Sequence, residues 1–507
     1  MKRELLVVFV AAVALYLPTA RYGFVQDDRA IIVGSPAAHS VGAALAAFDD
    51  PYWPRESGGG LYRPVTILSY AVDWTISGGR PGWFHIMNAL WHGLGAVLLV
   101  LVVARWLPPV AAAGAGLVFA WHPLHVEAVA SLVGRAELLV GVGILGAVLA
   151  ARRRHWTLAV VCAALAMFSK EHGVIAGVVI LLDKWLETAD DRPYPRTFWL
   201  ALAVVMLGFL AAWFAVGWVG ETDASAVFYG RSAWGRLAIA FPAVLQAAVL
   251  LFWPVSLSSD YSPQVLPTHT GISVAAVLGF CVVVAVPALM WWCRRRAPAI
   301  SFAAGLAALS YLPTANILFA SGVVLAERNL FLAVALPAVL AAWLAQALAA
   351  RRGIRPAVVA TASLVILCGA RSFLRLPSWR DNRSQLLTLL ADHPESYRGH
   401  ASAAAVLAGM GDTAGARREY RLADSLFPGD PYLVGANAIF LIGIGDTAGA
   451  VPLVARAAAA PVGARMTMRA RFVLELARGH RSQAAALADS ASRQFAGEKR
   501  WYLMFQQ

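Results

Sequence analysis

The run WFHIMNALWHGLGAVLLVLVVARW at residues 83–106 decides the fold. Its single charge, Arg105, stands next to its end, and a helix of this length is long enough to cross the hydrocarbon core of a bilayer. Similar runs recur along a chain of 507 residues that is 59% hydrophobic and 14% charged, with a mean hydropathy of +0.64. They do not alternate polar and apolar residues, so they predict an all-α, multi-spanning membrane protein rather than a barrel.

On length and hydropathy we identify about twelve candidate helices. The first, at residues 5–17, follows Lys2 and Arg3 and has no clear small-residue cleavage site after it. We therefore expect an uncleaved helix with a cytoplasmic N-terminus. The other candidates lie at residues 83–106, 109–121, 135–151, 155–168, 173–186, 198–218, 237–253, 273–292, 299–311, 325–348 and 357–373.

Basic clusters at the ends of apolar runs predict the topology and explain much of the net charge of +13. Such clusters collect in cytoplasmic loops. They lie at residues 152–154, 184–196, 294–296 and 351–355. All of them fall inside only if the segment 237–253 is re-entrant or lies in the interface. We therefore expect about eleven crossings, an external first loop at residues 21–82 and an external C-terminus.

A short string repeats after about Leu376, where the composition changes. Gly411-Asp-Thr-Ala-Gly-Ala416 recurs 34 residues later at Gly445–Ala450, and a weaker third copy begins at Gly479. A helical period of 34 is that of tetratricopeptide repeats, in which Gly-Asp would form the turn and the alanines would let the second helix pack closely. A plain amphipathic helical tail is the alternative interpretation.

These patterns divide the chain into two domains. Residues 1–376 form the membrane domain, and residues 377–507 form a short α-solenoid of about three repeats. Stacked helical hairpins make a concave surface that holds extended peptides or partner helices. No stripe of basic and aromatic residues indicates a nucleic-acid surface, so we expect protein and membrane lipid as partners and no nucleic acid.

Two adjacent carboxylates, Asp27 and Asp28, stand where the chain leaves the first apolar segment. A long loop follows them, and loops of such length are commonly functional. A carboxylate in this position can accept the proton of an attacking hydroxyl. We favour Asp28 as the catalytic base and keep Asp27 as the second choice.

Charged residues also stand at the ends of later apolar runs, and the predicted topology puts them on the same external side. They are Arg63, His122, His125, Glu127, Arg135, Glu137, Lys170, Glu171, Glu327 and Arg328. Each pair alone has a structural interpretation as a helix end or a solvated turn, but the shared side favours one site. Arg135 and Glu137 do not share a helical face, so the Arg135 guanidinium is expected to be free to hold phosphate oxygens.

A metal centre is not indicated. His122, His125 and Glu127 lack the spacing of the HExxH zinc motif, and a further ligand is missing. The four cysteines show neither zinc nor disulfide spacing. We expect no metal and no required cofactor.

Eight strings, taken in order, resemble one family. They are Phe-Val-Gln-Asp-Asp at 24–28, Tyr-Arg-Pro-Val-Thr at 62–66, Trp-Phe-His-Ile-Met-Asn at 83–88, His-Pro-Leu-His-Val-Glu-Ala-Val at 122–129, Gly-Arg-Ala-Glu-Leu-Leu at 134–139, Ser-Lys-Glu-His-Gly at 169–173, Ser-Asp-Tyr-Ser at 259–262 and Val-Leu-Ala-Glu-Arg at 324–328. Together they resemble the transmembrane and tetratricopeptide-repeat O-mannosyltransferases, which have the GT-C glycosyltransferase fold. The chain departs from the family at 327–331, where Glu-Arg-Asn-Leu-Phe replaces Glu-Arg-Tyr-Leu-Tyr, and its repeat tail is short.

The resemblance implies a polyprenyl- or dolichyl-phosphate sugar donor, an external active site, a Ser or Thr acceptor and an Asp of the first loop as base. Attack by a hydroxyl in a single displacement would invert the anomeric centre. Arginine or lysine would stabilise the leaving monophosphate, which needs less countercharge than a pyrophosphate. A non-catalytic scaffold that recruits partners through its repeats is the alternative. A transporter would show two matching halves with broken helices, which the sequence lacks.

Overall fold

A computed structural model describes residues 1–55, 60–187, 192–217, 225–268, 271, 273–460, 463–495 and 502. Throughout this part of the chain the protein is helical and has no strand, which confirms the predicted fold class. The helices of the N-terminal part are α1 Lys2–Tyr16, α2 Val41–Ala46, α3 Pro64–Ser77, α4 Pro81–Val103, α5 Pro109–Trp121, α6 His125–Ala130, α7 Arg135–Arg152, α8 Trp156–Ser169, α9 Ala176–Trp185, α10 Arg196–Ala212, α11 Ala233–Phe252, α12 Val274–Cys293, α13 Pro298–Tyr311, α14 Ala335–Arg352 and α15 Ile354–Arg375.

Eight helices in the described ranges are long and apolar enough to cross a membrane, so this is a multi-pass integral membrane protein. They are Lys2–Arg21, Pro81–Val103, Leu132–Arg152, Arg196–Val216, Ala233–Phe252, Val274–Cys293, Leu332–Arg352 and Ile354–Trp379, each counted with any adjoining 3-10 or π turn. Shorter apolar helices accompany them at Pro109–Trp121, Trp156–Ser169 and Pro298–Thr314. The total of about eleven crossings stays a prediction. The predicted end of one helix at Trp218 lies outside the described residues.

Helix α7 occupies the centre of the membrane domain. Its apolar window is 78% buried, whereas those of α10 and α12 are 11% buried and expose their side chains to lipid. Small residues allow neighbours to approach α7 closely: a Cβ on Gly143 would lie 2.7 Å from the Cys162 carbonyl oxygen of α8. The N-terminus of α7 therefore lies in the middle of one end of the bundle, where the charged residues gather.

Contacts at the opposite end join the basic clusters. Arg152 donates to Asp183 at 2.5 Å, Arg105 pairs with Glu187 at 2.6 Å, and Arg294 stacks on Trp185. We call this the arginine end, and the end that carries Asp27 and Asp28 the acidic end. Since three of the four predicted cytoplasmic clusters meet at this end, the geometry agrees with the charge bias that motivated the topology.

Helix α11 corresponds to the segment 237–253, for which we expected an interfacial or re-entrant position. Near its start, Arg236 donates to the Ile317 carbonyl at 3.1 Å, and near its finish the Leu251 carbonyl lies 3.1 Å from His122 Nε2. Both partners follow helices that finish at the acidic end. These contacts favour the interfacial position although the length of α11 allows a crossing, and the assignment stays a prediction.

The C-terminal part consists of helical hairpins whose turns follow the repeated string. Its helices are α16 Asn382–Asp392, α17 Tyr397–Gly409, α18 Thr413–Leu426, α19 Pro431–Gly443, α20 Thr447–Ala459, α21 Ala464–Ala477 and α22 Arg481–Gln494. Gly411 and Gly445 adopt φ of 83° and 84°, as helix C-termini require. The following Asp412 and Asp446 cap the next helices by accepting from Gly415 and Gly449. The hairpins fit the predicted period, while their identity as tetratricopeptide repeats stays a prediction.

Candidate active site

The two adjacent carboxylates of the first loop have opposite surroundings. Asp28 is fully buried, and its two oxygens accept from the backbone N–H groups of Val25 and Val133, each at 2.9 Å. Burial is the main cause that raises the pKa of Asp28 to about 7. Both oxygens are engaged with the backbone, so Asp28 ties the first loop to the segment before α7.

Asp27 is partly exposed, and no hydrogen bond or ion pair from the described residues reaches its carboxylate. The turn that separates the two carboxylates depends on Gln26, which adopts a left-handed φ of 48° and whose backbone N–H donates to Asn382 Oδ1 at 2.7 Å. Such a conformation costs a non-glycine residue about 1–2 kcal/mol. Asp27 is therefore the carboxylate that a substrate can reach.

Arg135 does not fit the expectation that its guanidinium is free. The side chain is fully buried and forms an ion pair with Asp73 of α3. It also donates to Asn88 Oδ1 at 2.7 Å and to the Phe84 carbonyl at 3.0 Å, and it lies over the Tyr70 ring. Because Asp73 neutralises it and neighbouring groups use its donors, Arg135 joins α3, α4 and α7 and is not placed to hold a phosphate.

Arg63 and Glu171 form a two-pronged ion pair. Arg63 Nε and Nη2 donate to the two carboxylate oxygens at 3.1 and 2.8 Å, and the Tyr62 N–H donates to Glu171 at 3.3 Å. Burial opposes ionisation of Glu171, but Arg63 outweighs it and lowers the Glu171 pKa. This pair fastens the start of α3 to the turn after α8.

Glu137 lies in the first turn of α7 and contacts two side chains of the turn between α8 and α9. Lys170 Nζ forms an ion pair with it, and His172 Nε2 lies 3.3 Å from its second oxygen. Lys170 also donates to Asn329 Oδ1 at 3.1 Å. Lys170 therefore connects Glu137 of α7 to the segment that contains Arg328.

Glu127 of α6 holds Arg328 twice. Its carboxylate accepts from the Arg328 backbone N–H at 2.9 Å and from Nη1 at 2.5 Å. Burial lowers the pKa of Arg328, but the charges of Glu127 and Asp27 outweigh it and raise that pKa. The Arg328 side chain remains 28% exposed, compared with 13% for Arg63 and 9% for Lys170. Arg328 is thus the most accessible cation of the predicted set.

The neighbouring Glu327 points in another direction. It is buried, and its Oε1 accepts from the Ser258 N–H at 2.7 Å and from the Tyr261 hydroxyl at 2.9 Å. Burial is the main cause that raises the pKa of Glu327 to about 7. Glu327 therefore anchors the loop that follows α11 rather than facing Arg328.

The two histidines of the second motif are bound to backbone carbonyls. His122 Nε2 lies 3.1 Å from the Leu251 carbonyl and His125 Nε2 lies 3.0 Å from that of Phe331, so these nitrogens carry the proton and donate. Burial lowers the pKa of His122 to about 4 and that of His125 well below its usual value. Both are neutral residues that hold segments together. Within the described ranges, no group of three or more His, Cys, Asp or Glu is placed to hold a metal ion.

Charge interactions bring most of the predicted residues together at the acidic end. Asp27, Glu127 and Glu137 all act on Arg328, and Arg63 and Arg328 both act on Lys170. Asp28, Arg135 and Glu327 lie at the edge of this cluster in structural roles. Asp73 was not predicted as the partner of Arg135, because a contact between α3 and α7 leaves no periodic signal in the sequence. Asn329 was not predicted either, although it follows directly after the Glu327-Arg328 pair.

Curated relatives of the chain are named protein O-mannosyl-transferases. A protein O-mannosyl-transferase of Caenorhabditis elegans is 26% identical over 442 residues, which cover 84% of this chain and 63% of the relative. Human protein O-mannosyl-transferase TMTC4 is 26% identical over 483 residues, which cover 82% and 65%. Human TMTC3 is 28% identical over 206 residues, which cover 38% and 22%. These relatives support the resemblance to the TMTC family of protein O-mannosyltransferases.

The TMTC-family relatives are longer than this chain, which spans less than two thirds of their length. No family model and no solved structure matches the chain. The matches to the nematode protein and to TMTC4 extend over most of the chain. The similarity to this family therefore extends along most of this chain and does not rest on one motif.

Proposed function

We propose that this chain is a membrane glycosyltransferase that moves a sugar from a polyprenyl-phosphate carrier to a Ser or Thr hydroxyl of a protein. The names of the relatives support mannose as the sugar and protein as the acceptor. The observation that carries the proposal is the contrast between Asp27 and the charged groups around it. Those groups neutralise one another, whereas the Asp27 carboxylate has no partner among the described residues and is partly exposed.

Asp27 is the base in this proposal. Its carboxylate takes the proton of the acceptor hydroxyl while the hydroxyl oxygen attacks the anomeric carbon through an oxocarbenium-like transition state. The bond from that carbon to the phosphate oxygen breaks at the same time, so the sugar inverts once. Asp28 fixes the loop by accepting hydrogen bonds from the Val25 and Val133 N–H groups.

Arg328 stabilises the leaving lipid phosphate. It is the most exposed cation of the cluster, and a guanidinium can offer two parallel N–H donors to phosphate oxygens. Lys170 and Arg63 add positive charge nearby, although each of them, like Arg328 itself, is paired with a carboxylate. The leaving group is a monophosphate, so the mechanism does not call for a divalent metal.

The acceptor protein binds the repeat hairpins, and the reaction takes place on the external side. The hairpins are joined to the acidic end by hydrogen bonds from Ser396 Oγ to Asp260 at 2.7 Å and from Gln385 to Ser259 at 2.5 Å. A segment bound along the hairpins would therefore lie near Asp27. Both the external side and the role of the repeats belong to this proposal.

A transfer assay tests the proposal. Membranes that contain the chain are incubated with polyprenyl-phosphate [³H]mannose, and label on protein is measured before and after β-elimination, which releases O-linked sugar from Ser and Thr. Label that depends on the chain and is released by β-elimination supports the proposal. Absence of label with mannose and with other polyprenyl-phosphate sugars would favour a scaffold without catalytic activity.

A further inference from the structure

A pocket of about 420 Å³ opens where α15 meets the repeat domain. Three arginines, Arg371, Arg375 and Arg380, line it together with the hydroxyl-bearing Ser378, Ser384 and Thr388. The volume lies in the range of pockets that bind small ligands. None of these residues belongs to the charged cluster around Arg328, so the pocket is a second concentration of positive charge at the acidic end.

The positive charges of the pocket are only partly neutralised. Arg371 donates to the Val255 carbonyl at 2.8 Å, and no carboxylate of the described residues pairs with it. Arg375 is buried and pairs with Asp392 at 3.0 Å, while its buried Nε lacks a hydrogen-bond partner in the described structure. Arg380 pairs with Asp381 at 3.1 Å at the surface and donates to Ser384 Oγ at 3.1 Å. The three arginines therefore share two carboxylates, Asp392 and Asp381. Placing arginines close together with too few carboxylates is costly, and a bound anion offsets that cost.

The walls of the pocket also carry exposed apolar side chains. Leu374 is 75% exposed and Leu387 is 56% exposed, and both line the pocket. Leu374 lies near the end of Ile354–Trp379, which is apolar and long enough to cross a membrane. Cationic groups beside exposed leucines at a helix end fit a ligand with an anionic head and an apolar tail.

We propose that this pocket binds the phosphate group of a membrane lipid. Arg371 and Arg380 hold the phosphate oxygens, the nearby hydroxyls donate to the same oxygens, and the lipid chain extends along Leu374. Arginine suits this role because its planar fork matches phosphate geometry. The lipid phosphate has two sources, a phospholipid of the bilayer and a polyprenyl phosphate, and both present the same chemistry to the pocket.

The pocket is joined to the loop that carries Asp27. The Gly23 N–H donates to the Arg380 carbonyl at 3.0 Å, and the Gln26 N–H donates to Asn382 Oδ1 at 2.7 Å. A lipid held by Arg380 would therefore steady the turn that presents Asp27. This inference goes beyond the proposed transfer reaction, because lipid binding is measured without any turnover.

Native mass spectrometry of the purified full-length protein tests the proposal. The ligands are phosphatidylglycerol, undecaprenyl phosphate and inorganic phosphate, each titrated alone. The proteins are wild type, Arg371→Gln, Arg380→Gln and the control Arg383→Gln. Arg383 is an exposed arginine of α16 outside the pocket. Arg380 is 61% exposed, so its replacement is expected to leave the thermal midpoint unchanged.

We expect one or both lipids to bind wild type and Arg383→Gln equally, and to bind the two pocket variants at least about tenfold more weakly. Preference for phosphatidylglycerol would identify a bilayer lipid, and preference for undecaprenyl phosphate would identify the carrier. Equal lipid affinity in all four proteins would overturn the proposal. Inorganic phosphate that binds as tightly as either lipid would also overturn it, since the apolar wall would then contribute nothing.

Discussion

The turn at Val25–Asp28 determines which of the two carboxylates is accessible. The left-handed Gln26 turns the chain so that Asp28 points inward to two backbone N–H groups while Asp27 remains accessible. The two adjacent aspartates in the sequence predicted a functional acidic pair, but their adjacency could not show which of the two is accessible. That difference depends on backbone donors, one of which, Val133, is 105 residues away.

Arg135 and Arg328 provide a matched pair of arginines with opposite surroundings. Arg135→Lys cannot reproduce the contacts to Asp73, Asn88 and Phe84, so we expect it to lose about 3 kcal/mol of stability and to keep its affinity for donor once folded. Arg328→Lys should keep its thermal midpoint and use donor roughly ten- to hundred-fold less well. Thermal unfolding and donor titration of both variants measure this. Weaker donor use in Arg135→Lys with a normal midpoint would restore Arg135 as the phosphate ligand.

The raised pKa of Glu327 predicts an unusual pH dependence of the protein's stability. Burial raises its pKa from 4.5 to about 7 in the folded protein, so the folded state binds its proton more tightly than the unfolded state does. Its contribution to stability is therefore present below about pH 4.5 and is lost as the pH rises through about 7. Glu327→Gln keeps an oxygen for Ser258 and Tyr261 and does not titrate.

We expect the thermal midpoint of wild type to fall relative to that of Glu327→Gln by a few degrees between pH 4.5 and 7.5. Calorimetry of both proteins over this range gives the difference directly. A difference that stays constant with pH would mean that Glu327 ionises with an ordinary pKa.

At the scale of the element, hydropathy located the helices but not their roles. The predicted segments 109–121 and 237–253 match α5 and α11 closely, because apolar runs are bounded by Pro, Trp and charged residues. Their positions differ in kind: α5 packs inside the bundle, while both ends of α11 contact the acidic end. Hydropathy does not distinguish these arrangements, and the interfacial position of α11 stays a prediction from the basic clusters.

Cysteine labelling tests the position of α11. In a background without Cys162, Cys281, Cys293 and Cys368, single cysteines replace the exposed Ser232 and Ser256, which flank α11. We expect both to react with a membrane-impermeant thiol reagent from the same side. Arg153→Cys at the arginine end is the control and should react only from the other side. Labelling of Ser232→Cys and Ser256→Cys from opposite sides would show that α11 crosses.

The repeated string is the element whose structure the sequence predicted in most detail. Glycine at 411 and 445 provides the left-handed residue, the following aspartate caps the next helix, and Ala416 and Ala450 are fully buried where the helices pack. The third copy has His480 in the aspartate position and no side-chain cap, which agrees with its weaker resemblance. Local chemistry set each of these features, so it was readable from the sequence.

At the scale of the molecule, the sequence predicted that the charges would share one end but not how they pair. Topology alone put Arg63, Lys170 and Arg328 on one side, and the structure gives each a carboxylate partner. Pairing depends on tertiary contacts between loops more than one hundred residues apart, such as Arg63 with Glu171. The sequence did not predict the basic pocket around Arg371, because its arginines lie at a helix end and in a linker that carry no motif.

Asp27, rather than Asp28, is the base in the proposed sugar transfer. The most direct measurement is the rate of transfer from polyprenyl-phosphate mannose by purified wild type, Asp27→Asn and Asp28→Asn, each with its thermal midpoint. We expect Asp27→Asn to keep the midpoint and lose roughly a hundred- to ten-thousand-fold in rate. Asp28→Asn should lose about 1–3 kcal/mol of stability, which lowers the thermal midpoint, and it should retain most of the rate. Near-normal turnover by Asp27→Asn, with a folded but inactive Asp28→Asn, would contradict the claim.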